Sequence, residues 1–594
     1  MAVPGADPPA SRRAARLLAA TLKPEARGLE GIVAVLVVAM VLRLALPVLL
    51  GRFADDALAG AGVDHLTRIA VAYTLAALAC NGLDLVVVWR SAHVSWRAGN
   101  RLRERLAAHA LRLEQAWHGR HSPGQLIERI DGDVEAMGRF FAGIAVHLVG
   151  NFILVLGMVV VAAIIDPITG LVLAVTAVAG TAVMIRLRMS AVAAREAERE
   201  INAQLYGDLE ERLGGLEDIR ANGGGEYAVH RLHGHSARWW QAARFASLRG
   251  DGAHAMAALV FGLGTAGTLV TGILLQQRGL ITVGAVLTLY RYADMLRMPL
   301  ERIAEQLKEF QKAMAGARRA STMLATEPAI ADGPLDGSAL APGALAVDFE
   351  AVSFSYDDRT HALRDVDLHL AAGTHLGVVG RTGSGKTTLG RLLARFRDAG
   401  DGSVRIGGVD VRDLTVAALR SRVAVVTQDV ELFRASVRDN LTLFGAREAS
   451  DAELADLLDR MSLGGWFASL PDGLDTRLGG EHGLSAGEGQ LLAFARALLA
   501  DPAVVVLDEA SSRLDPLTEE RIGDATQALL AGRTALVIAH RLDTLARVDE
   551  IAVVDAGRIA EHGPRAELAR RRHGRYARLV RAARLEDEPE EATA

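Results

Sequence analysis

The chain has 594 residues, 50% of them hydrophobic, and a mean hydropathy of +0.20. That length exceeds one compact domain, and the positive hydropathy directs attention to membrane-spanning segments. A net charge of −5 excludes a globally basic surface for nucleic acid, and a single cysteine, Cys80, excludes a disulfide framework or a cysteine-based zinc site.

The first 28 residues carry Arg12, Arg13, Arg16, Lys23 and Arg27. They read as a cytoplasmic lead rather than a signal peptide, because the apolar run Gly31–Leu50 is too long for an h-region. A membrane domain is expected over 29–325, with six spanning helices near 30–51, 67–89, 139–165, 168–187, 253–276 and 281–299. The third and fourth are joined by Asp166-Pro167-Ile168-Thr169-Gly170, which reads as a tight turn.

Charge orients the bundle. Segments 90–138 and 186–250 are rich in arginine, among them Arg101, Arg103, Arg186 and Arg195, whereas the loop near 52–66 carries Asp55, Asp56 and Asp64. The positive-inside rule places the arginine-rich segments and both termini in the cytoplasm of a cell-membrane protein. Both segments are too long for simple loops. They read as cytoplasmic extensions of the spanning helices, broken at His121-Ser122-Pro123-Gly124 and at Gly214-Gly215 and Asn222-Gly223-Gly224-Gly225. Each is then a helical hairpin able to dock on a cytoplasmic domain. Within the spans stand Arg43, Asp84, His147, Asn151, Arg291 and Asp294. Such groups often mark a pathway, but they also snorkel or pair with one another.

A Pro-, Gly- and Asp-containing linker is expected over 326–346 and a soluble domain over 347–584. Short apolar runs there, such as Val504-Val505-Val506-Leu507 and Ala535-Leu536-Val537-Ile538, alternate with helix-period segments, the pattern of buried parallel strands in an α/β fold. The acidic tail 585–594 is expected to be disordered.

Gly380-Arg381-Thr382-Gly383-Ser384-Gly385-Lys386-Thr387 follows an apolar strand and precedes a helical segment, Leu389 to Phe396, with Thr388 counted among the nucleotide-binding residues. That is the phosphate-loop pattern in its required context. Its glycines let the backbone wrap a phosphate, and Lys386 is placed to reach the β- and γ-phosphates of ATP. Thr387 is placed to ligate Mg²⁺. Farther on, the strand 504–507 ends in Asp508 and Glu509. Asp508 would hold Mg²⁺ and Glu509 would polarise the attacking water.

Leu484-Ser485-Ala486-Gly487-Glu488 opens a helix ahead of that strand. It resembles the signature motif of ABC transporters, which would make Ser485 and Gly487 part of an anion site for the γ-phosphate held by an opposing subunit. Ser485 with Glu488 three residues on is also an ordinary capping box. The resemblance extends to Tyr356 as the aromatic on adenine, Gln428 as the loop glutamine near Mg²⁺, Asp515 in the loop Ser512-Arg513-Leu514-Asp515, and His540 as the switch histidine. It implies the fold of a type IV exporter half: an α-helical membrane domain with long cytoplasmic extensions, fused to an α/β P-loop ATPase domain. It further implies a second half-transporter as partner, a lipid bilayer, and an unidentified small-molecule, lipid or peptide substrate. An ATP-gated regulator is the alternative.

Two positions depart from the family pattern. Ala486 replaces a glycine and Glu488 a glutamine, which should weaken what this chain lends to the opposite ATP site. In the family, a half with a competent glutamate and a weak signature is often one subunit of a heterodimer. A heterodimer is therefore expected, with a homodimer as the rival.

Overall fold

The computed structural model describes residues 8–356, 360–428, 430–479, 484–508, 516–539 and 543–586. The chain divides into two units: residues 1–112 with 121–327, and residues 113–120 with 328–594.

The first unit is helical. It contains α1 (Pro8–Leu22), α2 (Ala26–Leu58) and α3 (Val63–Arg112). The short α4 (Gln115–His118) falls in the stretch that belongs to the second unit. Then come α5 (Pro123–Ile127), α6 (Asp133–Gly143), α7 (Asn151–Ile165), α8 (Pro167–Gly214), α9 (Leu216–Ala221), α10 (Gly225–Gln277), α11 (Val283–Met295) and α12 (Arg297–Leu324). Two π-helical turns, Glu128–Gly132 and Ile144–Gly150, join α5, α6 and α7 into one continuous rod. Among the described residues, five helical stretches are long and apolar enough to cross a membrane: Ser11–Leu58, Val63–Arg112, Pro123–Ile165, Pro167–Gly214 and Gly225–Gln277.

The sixth expected span is divided between α11 and α12 at Leu296, whose backbone stays helical (φ −66°, ψ −34°). Pro299 supplies the cause. It has no N–H to give to the Met295 carbonyl one turn back, and its ring crowds that carbonyl. The charges here are paired along the helix, Arg291 with Asp294 at 3.3 Å and Arg297 with Glu301 at 2.7 Å.

At the third-to-fourth span junction, the turn is shorter than its composition implies. Pro167 is the first residue of α8, where a missing N–H costs nothing. Asp166 caps the helix by accepting from the Thr169 N–H and hydroxyl, both at 2.8 Å. Gly170 is not a turn residue. It lies inside α8, where a Cβ would stand 2.5 Å from the Ala163 Cα, so its role is to let α7 and α8 touch.

With 48 and 53 residues, α8 and α10 are each roughly 70–80 Å long, more than twice the ~30 Å hydrocarbon core. Both therefore run well beyond the membrane. The nearly buried Asp208 ties their far ends together: it accepts from Arg212 at 2.7 and 2.8 Å and lies 3.5 Å from Arg231. Between them sits α9, none of whose residues is buried.

Glycine contact also sets the register of α2 against α11. A Cβ on Gly284 would lie 2.0 Å from the Gly51 carbonyl, and one on Gly51 would lie 2.3 Å from the Thr288 hydroxyl. Asp55 closes the same end by accepting from the Thr282 hydroxyl at 2.6 Å and the Gly284 N–H at 2.7 Å. The fully buried Tyr292 donates to the Leu44 carbonyl at 2.7 Å.

The second unit is α/β. A four-stranded antiparallel sheet, in the order β2-β1-β4-β5, is built from β1 (Val347–Ser355), β2 (His361–Leu370), β4 (Asp401–Ile406) and β5 (Val409–Asp410). A six-stranded sheet, in the order β10-β9-β3-β8-β7-β6, is built from β3 (His375–Val379), β6 (Val423–Val426), β7 (Val504–Asp508), β8 (Thr534–Ile538), β9 (Glu550–Asp555) and β10 (Arg558–Pro564). Its inner strands are parallel and buried on both faces. On β7, Val504 and Val506 join one apolar layer, and Val505 and Leu507 the other. That alternation explains the continuous apolar runs in the sequence. The helices that follow the loops are α13 (Lys386–Leu393), α14 (Val416–Arg422), α15 (Val437–Thr442), α16 (Asp451–Arg460), α17 (Gly464–Ala468), α18 (Ala486–Leu499), α19 (Pro516–Leu530), α20 (Arg565–Arg570) and α21 (Arg575–Glu586).

If the glycine contact holds α2 on α11, Gly284→Val should lower the stability of the purified protein by about 1–3 kcal/mol. Gly82→Ala, with nothing within 4 Å of its added carbon, should be neutral or stabilising. Thermal unfolding in detergent distinguishes them. Equal midpoints for the two variants would contradict the packing role.

Candidate nucleotide site

Strand order assembles the site. The pairing Val378↔Ile538 joins β3 to β8, Asp508↔Ile538 joins β8 to β7, and Val426↔Leu507 joins β7 to β6. The carboxyl ends of four parallel strands therefore lie in one row, the position at which open α/β sheets bind ligands. The phosphate loop leaves β3 there, Asp508 ends β7, and Gln428 follows β6 with its side chain exposed. Glu509 and His540 directly follow Asp508 and Ala539 in the chain, but they and Asp515 lie outside the described residues.

The loop is held in a conformation that side chains would block. Gly380 has φ +152°, and a Cβ there would stand 2.2 Å from the Val554 carbonyl. Gly385, at φ +111°, precedes α13, and its Cβ would press on the Ala362 carbonyl at 2.6 Å. Lys386 is buried, and its ammonium donates to the Gly380 carbonyl at 2.8 Å and the Arg381 carbonyl at 3.1 Å. The charge is thus parked across the mouth of its own loop. Ser384 is buried as well, and its hydroxyl has no hydrogen-bond partner. A buried, unpartnered hydroxyl is costly unless a ligand meets it, and a phosphate oxygen fits that need.

The Thr387 hydroxyl donates to the Asp508 carboxylate at 3.3 Å, bringing the loop and the acid strand together. A hydroxyl and a carboxylate are hard oxygen donors of the kind Mg²⁺ takes alongside phosphate and water. Among the described residues, no cluster of three or more His, Cys, Asp or Glu side chains forms a separate metal site.

Tyr356 is partly exposed at the edge of the same region. Its hydroxyl lies 3.2 Å from the Thr388 hydroxyl and accepts from Arg391 at 3.2 Å. The Arg397 guanidinium stands 5.4 Å from its ring centre. Arg391 and Arg397 were not singled out from the sequence, and both bring positive charge beside the expected adenine platform.

The signature segment forms a different kind of site. Ser485 caps α18, accepting from the Glu488 N–H at 3.3 Å. The Glu488 carboxylate in turn accepts from the Ser485 N–H at 3.0 Å and from its hydroxyl at 2.9 Å. The capping box is complete, with Gly487 buried beneath it. The Glu488 carboxylate therefore takes the one proton the serine hydroxyl can give.

Sequence reading also missed Arg496. It projects from α18 and donates to the Asn440 carbonyl at 2.5 Å, the Asn440 side-chain oxygen at 2.7 Å and the Glu431 carbonyl at 2.8 Å. Glu431 lies three residues beyond Gln428, so α18 is anchored to the far side of the glutamine loop. Burial holds the Arg496 guanidinium below its ordinary pKa. An arginine in an apolar helix gives no advance sign of so distant a partner.

Comparison with known proteins agrees with this geometry. A family described as the ABC transporter transmembrane region matches residues 31–300, and one described as ABC transporter matches 363–512. A fatty acid ABC transporter ATP-binding/permease protein of Mycobacterium bovis is 32% identical over 88% of this chain and 83% of its own length. A β-(1→2)glucan export ATP-binding/permease protein of Rhodopseudomonas palustris is 39% identical over 52% of this chain and 51% of its own. The solved structure of a bacterial Atm1-family ABC exporter with ATP bound superimposes with a TM-score of 0.78 at 26% identity, covering 96% of this chain and 99% of that one.

Lys386→Ala should weaken binding of a fluorescent ATP analogue by about ten- to a hundredfold, since a charged hydrogen-bonding group contributes about 1.5–3 kcal/mol. Ser384→Ala removes a neutral donor and should cost less than tenfold. Titration of the purified protein reads both. Unchanged affinity in Lys386→Ala would remove the loop from the binding site.

Proposed function

The chain belongs to the ABC transporter family, as an exporter with its membrane and ATPase domains fused, and we propose that it is the catalytically competent half of a heterodimer that hydrolyses ATP to move an unidentified substrate out across the cell membrane. The observation that carries this reading is the contrast within one unit. The phosphate loop meets Asp508 through Thr387, whereas the signature serine is engaged by Glu488.

In the proposed cycle, ATP lies along the loop. Lys386 exchanges the Gly380 and Arg381 carbonyls for the β- and γ-phosphates, and the Ser384 hydroxyl donates to a phosphate oxygen. Thr387, Asp508 and Gln428 would hold Mg²⁺, which when bound neutralises charge on the phosphates. Glu509 orients and polarises the attacking water, and His540 contacts the γ-phosphate. An opposing subunit closes the site with its own signature and Asp515-type loop. Substrate must bind the two cavity states with different affinity, or closure cannot drive its movement.

One feature of the membrane unit supports coupling to a partner: α9 has no buried residue in the single chain. An uncovered helix at the tip of a long hairpin is suited to docking on a second subunit. Substrate does not follow from family membership, since the named relatives carry cargoes as unlike as a fatty acid and a glucan.

Glu509→Gln should keep nucleotide affinity and lose most hydrolysis; near wild-type turnover would refute its role. The unequal-half reading makes a second prediction for the chain purified alone. Its ATPase rate should be low, and the double variant Ala486→Gly with Glu488→Gln should raise it about tenfold by giving each copy a signature the other can use. Brisk Mg²⁺-dependent turnover of the unaltered chain would instead establish a homodimer.

A further inference from the structure

A cavity of about 240 Å³ lies within the membrane unit. It is lined by Arg43 and Leu50 from α2, Tyr73 and Asn81 from α3, and Arg291 and Met295 from α11, among others. Two guanidinium groups from helices far apart in sequence thus face one space among apolar neighbours. No carboxylate is among the described residues that line it.

Counter-charges stand behind the arginines. Asp84 on α3 pairs with Arg43, and Asp294 pairs with Arg291 at 3.3 Å. These pairs offset the cost of charge at membrane depth. They do not saturate it, because a guanidinium has five donors and each carboxylate engages only part of the fork. Arg43 keeps 28% and Arg291 42% of its side chain accessible. The remaining donors are suited to a planar or tetrahedral anion, which they can hold through paired hydrogen bonds. The cavity is smaller than the roughly 300–1,000 Å³ of sites that enclose drug-sized ligands. That volume suits a head group and the start of a chain, and α3, which lines it, exposes Leu75, Leu78 and Leu85.

We propose that this cavity is a substrate subsite for an amphipathic anion, with Arg43 and Arg291 binding the acidic head and the apolar body lying outside it. The inference rests on the exporter reading, since it names the class of cargo for that machine.

The test is photolabelling of the full-length protein in phosphatidylcholine nanodiscs, without ATP, using a diazirine-bearing palmitate. The expected result is label on the α3 peptide containing residues 73–81, reduced at least tenfold in Arg43→Gln and in Arg291→Gln. Arg43→Lys should retain part of it. Asp84→Asn frees Arg43 and should preserve or increase the label. If the Arg43–Asp84 pair were only a brace, Asp84→Asn would lose label together with Arg43→Gln, and the proposal would fail. It would equally fail if both arginine variants labelled like wild type, or if dodecyltrimethylammonium competed as well as laurate. Competition by dodecyl phosphate supports a site for any acidic head. Resistance to dodecyl phosphate alongside competition by laurate supports one restricted to carboxylates. Because no nucleotide is present, a negative result leaves the ATPase reading standing, and a failed ATPase leaves the labelling interpretable.

Discussion

The hydrogen bond from Thr387 to Asp508 at 3.3 Å is the constraint on which the chemistry of this chain depends. It joins a loop that can hold phosphate to an acid that can share a metal with it. The bond exists only if β3, β8 and β7 keep their register. That register is set by apolar side chains alternating onto two buried layers, where a one-residue slip would turn each strand inside out. The ATP site is therefore a consequence of how the sheet packs. Glycines at 380 and 385 supply the remaining requirement, a backbone close enough to its neighbours that no side chain could be accommodated.

The signature segment obeys the same local physics with a different outcome. Capping boxes recur in this unit at Ser436 with Asp439, Ser450 with Glu453, and Ser485 with Glu488. At the first two helices the box simply satisfies orphan N–H groups. At α18 it also engages the hydroxyl of Ser485, on which the proposed contact with an opposing subunit's nucleotide depends. Displacing a charge-assisted pair costs about 1.5–3 kcal/mol, or roughly ten- to a hundredfold in affinity. On the proposed function, an ordinary stabilising motif becomes an obstacle because of its position.

Much of the ATPase unit was legible in the sequence because its signals are local. Glycine spacing, an apolar strand and the acid that ends it lie within a few residues of one another. The membrane unit was legible at the level of spans and hairpin breaks, but several details were not. Gly170 looked like a turn residue because it follows Pro167, yet Pro167 starts a helix and Gly170 serves close packing within it. The break at Leu296 required reading Pro299 as acting one turn upstream. The capping of α11 by Asp55 and the convergence of Arg43 with Arg291 both depend on how α2 meets α11. That meeting is set by Gly51 and Gly284, a pair no local window contains. The orphaned Ser384 hydroxyl and the anchor at Arg496 likewise appear only once distant segments are placed together.

The central claim is that this chain owns a complete ATP site which needs a foreign signature to close. Native mass spectrometry of the chain purified alone, as the Glu509→Gln variant with Mg²⁺ and ATP, tests it most directly. The account predicts a predominant single chain carrying one nucleotide. A stable dimer of identical chains holding two nucleotides would contradict it.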